Sequence, residues 1–193
     1  MREISSRFMR SIQSKLKQNE PVDRVAKETA AVAVVLKAKS GMRDEFLLIR
    51  RAERNGDPWS GQVAFPGGRV EPDDQSFAAT ATRETSEEVG IQLTGHELLG
   101  SLPIVTTRSQ RLRVLPFVFR LKSTVRIQVN EEVAETFWIP LSDLEGLEAE
   151  SREVRIDQGS LSADSYVVAG HVIWGLTFRI INLLLDREAQ SKL

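Results

Sequence analysis

The sequence predicts an α/β architecture in which one mixed β-sheet is covered by helices on both faces. Short apolar runs at residues 31–36, 46–49 and 114–121 have the length and composition of buried strands. Two longer segments repeat their apolar residues at helical spacing: Phe77, Ala78, Ala81, Thr85 and Val89 in one, Leu176, Ile180, Ile181 and Leu184 in the other. Each such stripe has to be buried, and a sheet offers one face to each helix.

The elements follow in order. Ile4, Phe8, Ile12 and Leu16 predict an N-terminal amphipathic helix ending near Asn19-Glu20-Pro21, its stripe packed on the domain and not on a membrane. Residues 31–36 and 46–49 are strands separated by a Ser40-Gly41 turn, and residues 62–65 form a third strand leading into Gly67-Gly68. The first long helix follows, with Asp73, Asp74 and Ser76 as N-cap candidates and Gly90 as its C-cap. Residues 98–105, 114–121 and 136–139 read as further strands, residues 154–156 and 166–168 as shorter ones, and the acidic stretch 145–150 around Gly146 as an exposed connection. Neither a repeat nor a low-complexity linker interrupts the chain. The expected organisation is a single domain, 1–193, with an N-terminal helix in 1–20, a core in 26–145 and C-terminal strands and helix in 146–193.

Composition removes several function classes. At 193 residues, 41% hydrophobic and 27% charged, the chain is a globular protein with enough apolar residues for one sizeable core. A net charge of −1 gives no basic field for nucleic acid. The absence of cysteine excludes disulfides, thiol catalysis and zinc-thiolate sites. Residues 1–16 mix Arg2, Glu3, Arg7 and Arg10 with apolar residues, unlike a secretory signal, and the apolar stretch 172–185 is short for a membrane span and contains Arg179. A cytoplasmic location is expected, with the peroxisomal matrix as the alternative in a eukaryote, because the chain ends in Ser191-Lys192-Leu193.

The first long helix carries a charge conflict. Glu84, Glu87 and Glu88 fall within an arc of roughly 100° on a helix that advances about 100° per residue. Like charges at i,i+4 repel, and all three stand in the last turns before Gly90, where the helix dipole disfavours carboxylates. Arg83 offsets part of this through an i,i+4 pair with Glu87. A divalent cation removes the rest, since hard oxygen sites combine carboxylates with carbonyls and keep positions for substrate phosphates. A solvated acidic face is the competing reading. Upstream, Gly67-Gly68 lets the backbone approach a ligand closely, although a plain turn uses the same dipeptide.

Residues 68–91 resemble the signature box of the Nudix hydrolases: a glycine, five residues, a glutamate, seven residues, Arg-Glu, an apolar residue, any residue, Glu-Glu, any residue, glycine and an apolar residue. Gly68 starts it and Arg83-Glu84-Thr85-Ser86-Glu87-Glu88-Val89-Gly90-Ile91 ends it. Asp74 stands for the first glutamate, eight residues instead of seven separate it from Arg83, and Thr85 replaces an apolar residue. The longer spacing, preceded by Gly61-Gln62-Val63-Ala64-Phe65-Pro66, resembles the coenzyme A pyrophosphatase branch. Similarity continues, more weakly, through Phe137-Trp138-Ile139-Pro140-Leu141 and Val172-Ile173-Trp174-Gly175-Leu176-Thr177. That branch carries a second motif, roughly Leu-Leu-Thr-x-Arg-Ser/Ala. This chain has Leu47-Leu48-Ile49-Arg50-Arg51-Ala52, and Asp57 where the branch has an arginine four residues before Gly61, with Arg54 as the candidate substitute.

The resemblance implies an αβα sandwich with a mixed central sheet, hydrolysis of the pyrophosphate bond of a nucleoside diphosphate derivative, and Mg²⁺ or Mn²⁺ as cofactor. Glu84 and Glu88, one turn apart, are the first expected metal ligands and Glu87 the next; by resemblance the Gly67 carbonyl completes the shell. Arg83 is expected to orient the carboxylates and Asp74 to hold Arg83. Glu132, beside Glu131, is the candidate general base, with simple solvent exposure as its alternative. Arg51, Arg54 and Arg111 are expected to contact substrate phosphates, as arginine suits bidentate recognition; Arg50, Arg108 and Arg113 are further candidates. Trp59 either stacks on a base or plugs its loop, while Trp138, Trp174, His96 and His171 read as structural. Coenzyme A or a derivative leads the substrates, with ADP-ribose, a dinucleoside polyphosphate or non-catalytic nucleotide sensing as alternatives. The sequence leaves the oligomeric state open, a homodimer included.

Overall fold

The computed structural model describes residues 16, 29–37, 44–93, 98–107, 112–144, 146–156, 159–185 and 187. The helix expected around Ile4, Phe8 and Ile12, the Ser40-Gly41 turn, His96, Arg108, Arg111 and the terminal Ser191-Lys192-Leu193 lie outside the described residues. Along the chain come β1 (Thr29–Lys37), β2 (Glu45–Arg51), β3 (Val63–Ala64), β4 (Gly67–Arg69), α1 (Phe77–Val89), β5 (Leu98–Ser101), β6 (Val105–Thr106), β7 (Arg113–Leu121), β8 (Val133–Pro140), α2 (Leu141–Leu144), β9 (Glu150–Ile156), β10 (Gly159–Val168), β11 (His171–Trp174) and α3 (Gly175–Leu185).

The main sheet is mixed. β1 runs parallel to β7 and antiparallel to β2, and β8 closes the far side of β2. Alternation along the strands decides which face each side chain serves. Ala31, Ala33 and Val35 of β1, Leu47 and Ile49 of β2, and Leu115, Phe117 and Phe119 of β7 form one core with Ala81 and Val89 of α1. Their neighbours Val34, Leu36, Phe46, Leu48 and Val118 form the other, with Tyr166, Ile173, Ile180, Ile181 and Leu184. The sheet is therefore covered on both faces. A smaller antiparallel sheet, β11-β10-β9, joins the second layer beside α3. Two buried hydrogen bonds fix α3 there: Tyr166 donates to Asn182 Oδ1 at 2.7 Å, and Thr177 donates to the Val63 carbonyl at 2.9 Å.

One irregularity positions the site. Among the described residues, β1 and β2 pair directly only at Leu36↔Phe46 and Lys37↔Glu45, then part. β4 pairs with Ala30, Ala31 and Val32 on one side of the gap, and β3 with Ile49 and Arg50 on the other. Residues 63–69 thus form a wedge between the two strands, secured by the Ala33 N–H on the Pro66 carbonyl at 2.8 Å. Gly67 has φ 153, and a Cβ there would lie 2.6 Å from Val32 Cα, so a side chain is excluded.

The structure corrects the single strand expected at 98–105. It is two strands, β5 and β6, both on the outer edge of β7. Pro103 has no N–H for a ladder, and the Leu102 N–H reaches the Pro116 carbonyl at 2.8 Å. β4, β11 and α2 had no counterpart in the sequence reading. β11 folds back on β10 through Ala169 and Gly170, both at positive φ (51 and 83), the twist a tight hairpin requires.

Candidate active site

The ends of α1 are set locally. Ser76 accepts the Ala79 N–H at 3.1 Å, and Gly90, at φ 71, donates to the Ser86 carbonyl at 3.0 Å. Thr85 lies fully inside the face packed on the sheet, where its hydroxyl donates to the Ala81 carbonyl at 2.6 Å. That bond makes a polar residue tolerable at an apolar position.

The acidic arc meets the wedge. Glu88 is only 2% exposed; one of its oxygens accepts the Gly67 N–H at 2.9 Å, and the other lies 3.8 Å from Arg51 Nη1. Burial pushes its carboxyl up to about 8 against the pull of the Gly67 N–H, and the nearby charge of Glu84 adds to the rise. The Glu84 side chain, 16% exposed, lies against Gly68, where an added Cβ would stand 2.7 Å from Glu84 Oε2. Burial raises this carboxyl as well, with Arg83 opposing. Glu87 is different, with its side chain 54% exposed.

Arg83 organises the rest. Its Nε and Nη2 grip Asp74 Oδ1 and Oδ2 at 3.0 and 3.1 Å, and its Nη1 donates to Glu84 Oε1 at 3.0 Å and Glu87 Oε2 at 3.1 Å. Nη2 also reaches the Arg69 carbonyl at 3.2 Å, tying the helix to the end of β4. Asp74 further accepts the Glu71 N–H at 2.9 Å and the Thr80 hydroxyl at 2.8 Å. The hydrogen bonds from Arg83 outweigh burial and hold this carboxyl at about 2. Asp74 is thus the clamp on Arg83.

Of the arginines expected to meet substrate, Arg51 and Arg54 are engaged with carboxylates. Arg51 pairs with Asp57 through Nη2 at 3.0 Å and turns Nη1 toward Glu88. Asp57 also accepts the Trp59 N–H at 3.0 Å, which folds the turn that aims it. The acid that breaks the arginine pattern therefore neutralises Arg51. Arg54 pairs with Glu132 at 3.2 Å and Glu131 at 3.3 Å, so the substrate contact and the general base expected from the sequence hold each other. The segment carrying them hangs from the end of α1: Asn130 N–H donates to the Glu88 carbonyl at 3.1 Å and Gln128 N–H to the Val89 carbonyl at 3.0 Å. These bonds satisfy carbonyls the helix leaves open. Arg50 pairs with Glu135 on the opposite side of the sheet, His171 stacks on Phe137 at 4.0 Å, and Trp138 lies beneath the Lys37 ammonium at 4.0 Å. Asp57 is the site residue that sequence reasoning did not assign, although Asp57-Pro58-Trp59 is recognisable as a turn in which aspartate caps its own backbone.

Among the described residues no three acidic or histidine side chains converge as a ready-made metal cage, and Arg83 stands between Glu84 and Glu87. The donor chemistry nevertheless fits a hard dication. Two carboxylates lie withdrawn from water against Gly67-Gly68, and Asp57, Asp74, Glu84, Glu87 and Glu88 share the guanidiniums of Arg51 and Arg83.

Residues 27–158 match the NUDIX domain family. The uncharacterized Nudix hydrolase NudL of Yersinia pestis (strain Pestoides F) is 37% identical over 145 residues, covering 74% of this chain and 71% of that protein, and NudL of Yersinia pseudotuberculosis serotype O:1b gives the same figures. A solved MutT/nudix family protein from Enterococcus faecalis is similar with a TM-score of 0.56 at 17% identity, over 94% of this chain and 69% of that one. A bifunctional NMN adenylyltransferase/ADP ribose pyrophosphatase from Francisella tularensis, complexed with AMP and a Mn ion, is similar with a TM-score of 0.54 at 20% identity, over 96% of this chain and 46% of that one. At such identities the structural likeness concerns the fold alone.

Proposed function

The chain belongs to the Nudix family of hydrolases, and from that premise we propose that it cleaves the pyrophosphate bond of a nucleoside diphosphate derivative, with coenzyme A or a derivative as substrate and Mg²⁺ or Mn²⁺ as cofactor. The observation that carries this reading is the burial of Glu88 and Glu84 against Gly67-Gly68, where carboxylates are stable as anions only beside a cation. When bound, the dication supplies neutralisation of the diphosphate oxygens and activation of the attacking water. Glu84 and Glu88 are its ligands in this proposal, with Glu87 and the Gly67 carbonyl completing the donor set.

The protein's own groups have separable tasks. Arg83 positions Glu84 and Glu87, and Asp74 fixes Arg83. Arg51 and Arg54 draw the anionic substrate, with Arg111 as a further contact. A diphosphate engaging Arg54 competes with Glu132 for it, and the carboxylate so released accepts the proton of the attacking water. Support for coenzyme A is the stretch from Gly61 to Gly68 and the long spacing to Arg83; adenosine 3′,5′-bisphosphate and 4′-phosphopantetheine are then the products. No helix among the described residues is long and apolar enough to cross a membrane; cytoplasmic action belongs to the proposal.

Incubation with coenzyme A, ADP-ribose and a dinucleoside polyphosphate, each with Mg²⁺ or Mn²⁺, followed by chromatography of the products, tests the reading. Preferential cleavage of coenzyme A is expected. Faster turnover of either other compound replaces the substrate. Nucleotide binding without turnover of any of them removes the hydrolase assignment for this chain.

A further inference from the structure

The β9–β10 hairpin carries charges that the acidic site does not use. β9 ends the three-stranded sheet, and among the described residues nothing pairs with its outer edge. Glu150, Ser151, Arg152, Glu153 and Arg155 are exposed, whereas Val154 is buried opposite Leu161 of β10. An edge of this kind presents free N–H and C=O groups to any strand that can match it. Its side chains are unevenly satisfied. Arg152 pairs with Glu150 of the same strand at 2.8 Å, and Glu153 accepts the Ser160 hydroxyl. Arg155 has no hydrogen bond or ion pair among the described residues.

Symmetry selects the partner. Two copies of one edge strand pair antiparallel about a two-fold axis perpendicular to the sheet, so residues equidistant from that axis face each other on the same side. An axis at Val154 sets Glu153 of each copy opposite Arg155 of the other, twice, with Val154 against Val154 and the stem of Arg152 against Ile156. Axes at Arg152, Glu153 or Arg155 oppose two like charges, which destabilises an antiparallel pair. An axis at Ser151 matches Glu150 with Arg152, which already neutralise one another, and leaves Arg155 unmatched.

We propose that the chain forms a homodimer through β9, antiparallel in the register centred on Val154, so that two three-stranded sheets continue as one sheet of six. The pairing is independent of the acidic site. Sedimentation of the full chain across a concentration series tests it. The wild type is expected to dimerise reversibly. Glu153→Arg or Arg155→Glu replaces two attractions by two repulsions and is expected to weaken the dimer by about tenfold or more, with the circular dichroism spectrum unchanged. Combining both substitutions in one chain restores opposite charges and the dimer. Mixing the two single variants yields a heterodimer, because one chain then brings two arginines to the paired positions and the other two glutamates, which match at both contacts. A wild type that stays monomeric at every concentration overturns the proposal, and protected β9 amides in that monomer would assign the edge to another segment of the same chain. A dimer that survives either reversal, or one that the combined variant fails to restore, overturns the register.

Discussion

Glu88→Gln keeps the shape of a buried side chain and its acceptor for the Gly67 N–H while removing the charge. Because the folded carboxyl is held at about 8 and the unfolded one ionises near 4.5, the folded state binds the proton more tightly through that interval. The contribution is then fully favourable below 4.5 and is lost as pH rises toward 8 in the metal-free protein. At pH 7 each pH unit passed costs about 1.4 kcal/mol, so the wild type forgoes about 3 kcal/mol that a neutral isostere retains. In chelator at pH 7 the glutamine variant should melt about 6–12 °C above the wild type, for a chain of this size, and the gap should close near pH 4.5. Added Mg²⁺ should stabilise the wild type alone, while turnover of the variant falls by orders of magnitude. Calorimetry at both pH values with and without metal reads the stability changes, and a turnover assay reads the rest. A variant no more stable than the wild type in chelator at pH 7, or one with wild-type turnover, refutes the reasoning.

Asp74→Asn removes the clamp on Arg83; with the native carboxyl at about 2 and the unfolded one at 3.8, its stabilisation is present above 3.8 and lost as pH falls through 2, so the variant should lose about 2 kcal/mol at pH 7 and converge with the wild type in acid, as urea titrations would show. Gly68→Ala drives a methyl into the Glu84 carboxylate and should weaken Mg²⁺ binding by about tenfold or more with the helix retained, measurable by calorimetric titration; unchanged affinity would remove Glu84 from the ligand set. Arg54→Ala should raise KM for an anionic diphosphate while sparing kcat, and Glu132→Gln should lower kcat by about a hundredfold with KM little changed. Equal effects of these two substitutions on KM would show that their ion pair only braces the loop.

Local features were legible in the sequence and partnerships between distant residues were not. Ser76 and Gly90 bound the first long helix because capping depends on a few neighbouring backbone groups, and the apolar runs 31–36 and 46–49 fall inside β1 and β2, although a continuous apolar run does not tell which of its residues faces which layer. The acidic arc was equally visible, since 3.6-residue periodicity is local. The pairing of Arg54 with Glu132 spans 78 residues of chain and depends on how the segment before β8 is hung from α1. Asp57 stands out in the sequence only as an acid where the resembled branch has an arginine, because its partner Arg51 faces it only after β2 and the following turn have folded. β4 is three residues of Gly-Gly-Arg, with no propensity to announce a strand, and exists because the gap beside β1 accepts a bare backbone.

The wedge at residues 63–69 ties the proposed site to the architecture of this chain. The backbone that meets Glu88 is the same backbone that keeps β1 and β2 joined where they diverge. Slackening this loop would therefore unpair the two strands at the centre of the sheet, so room for a bulkier ligand cannot be made at the wedge without loosening the fold.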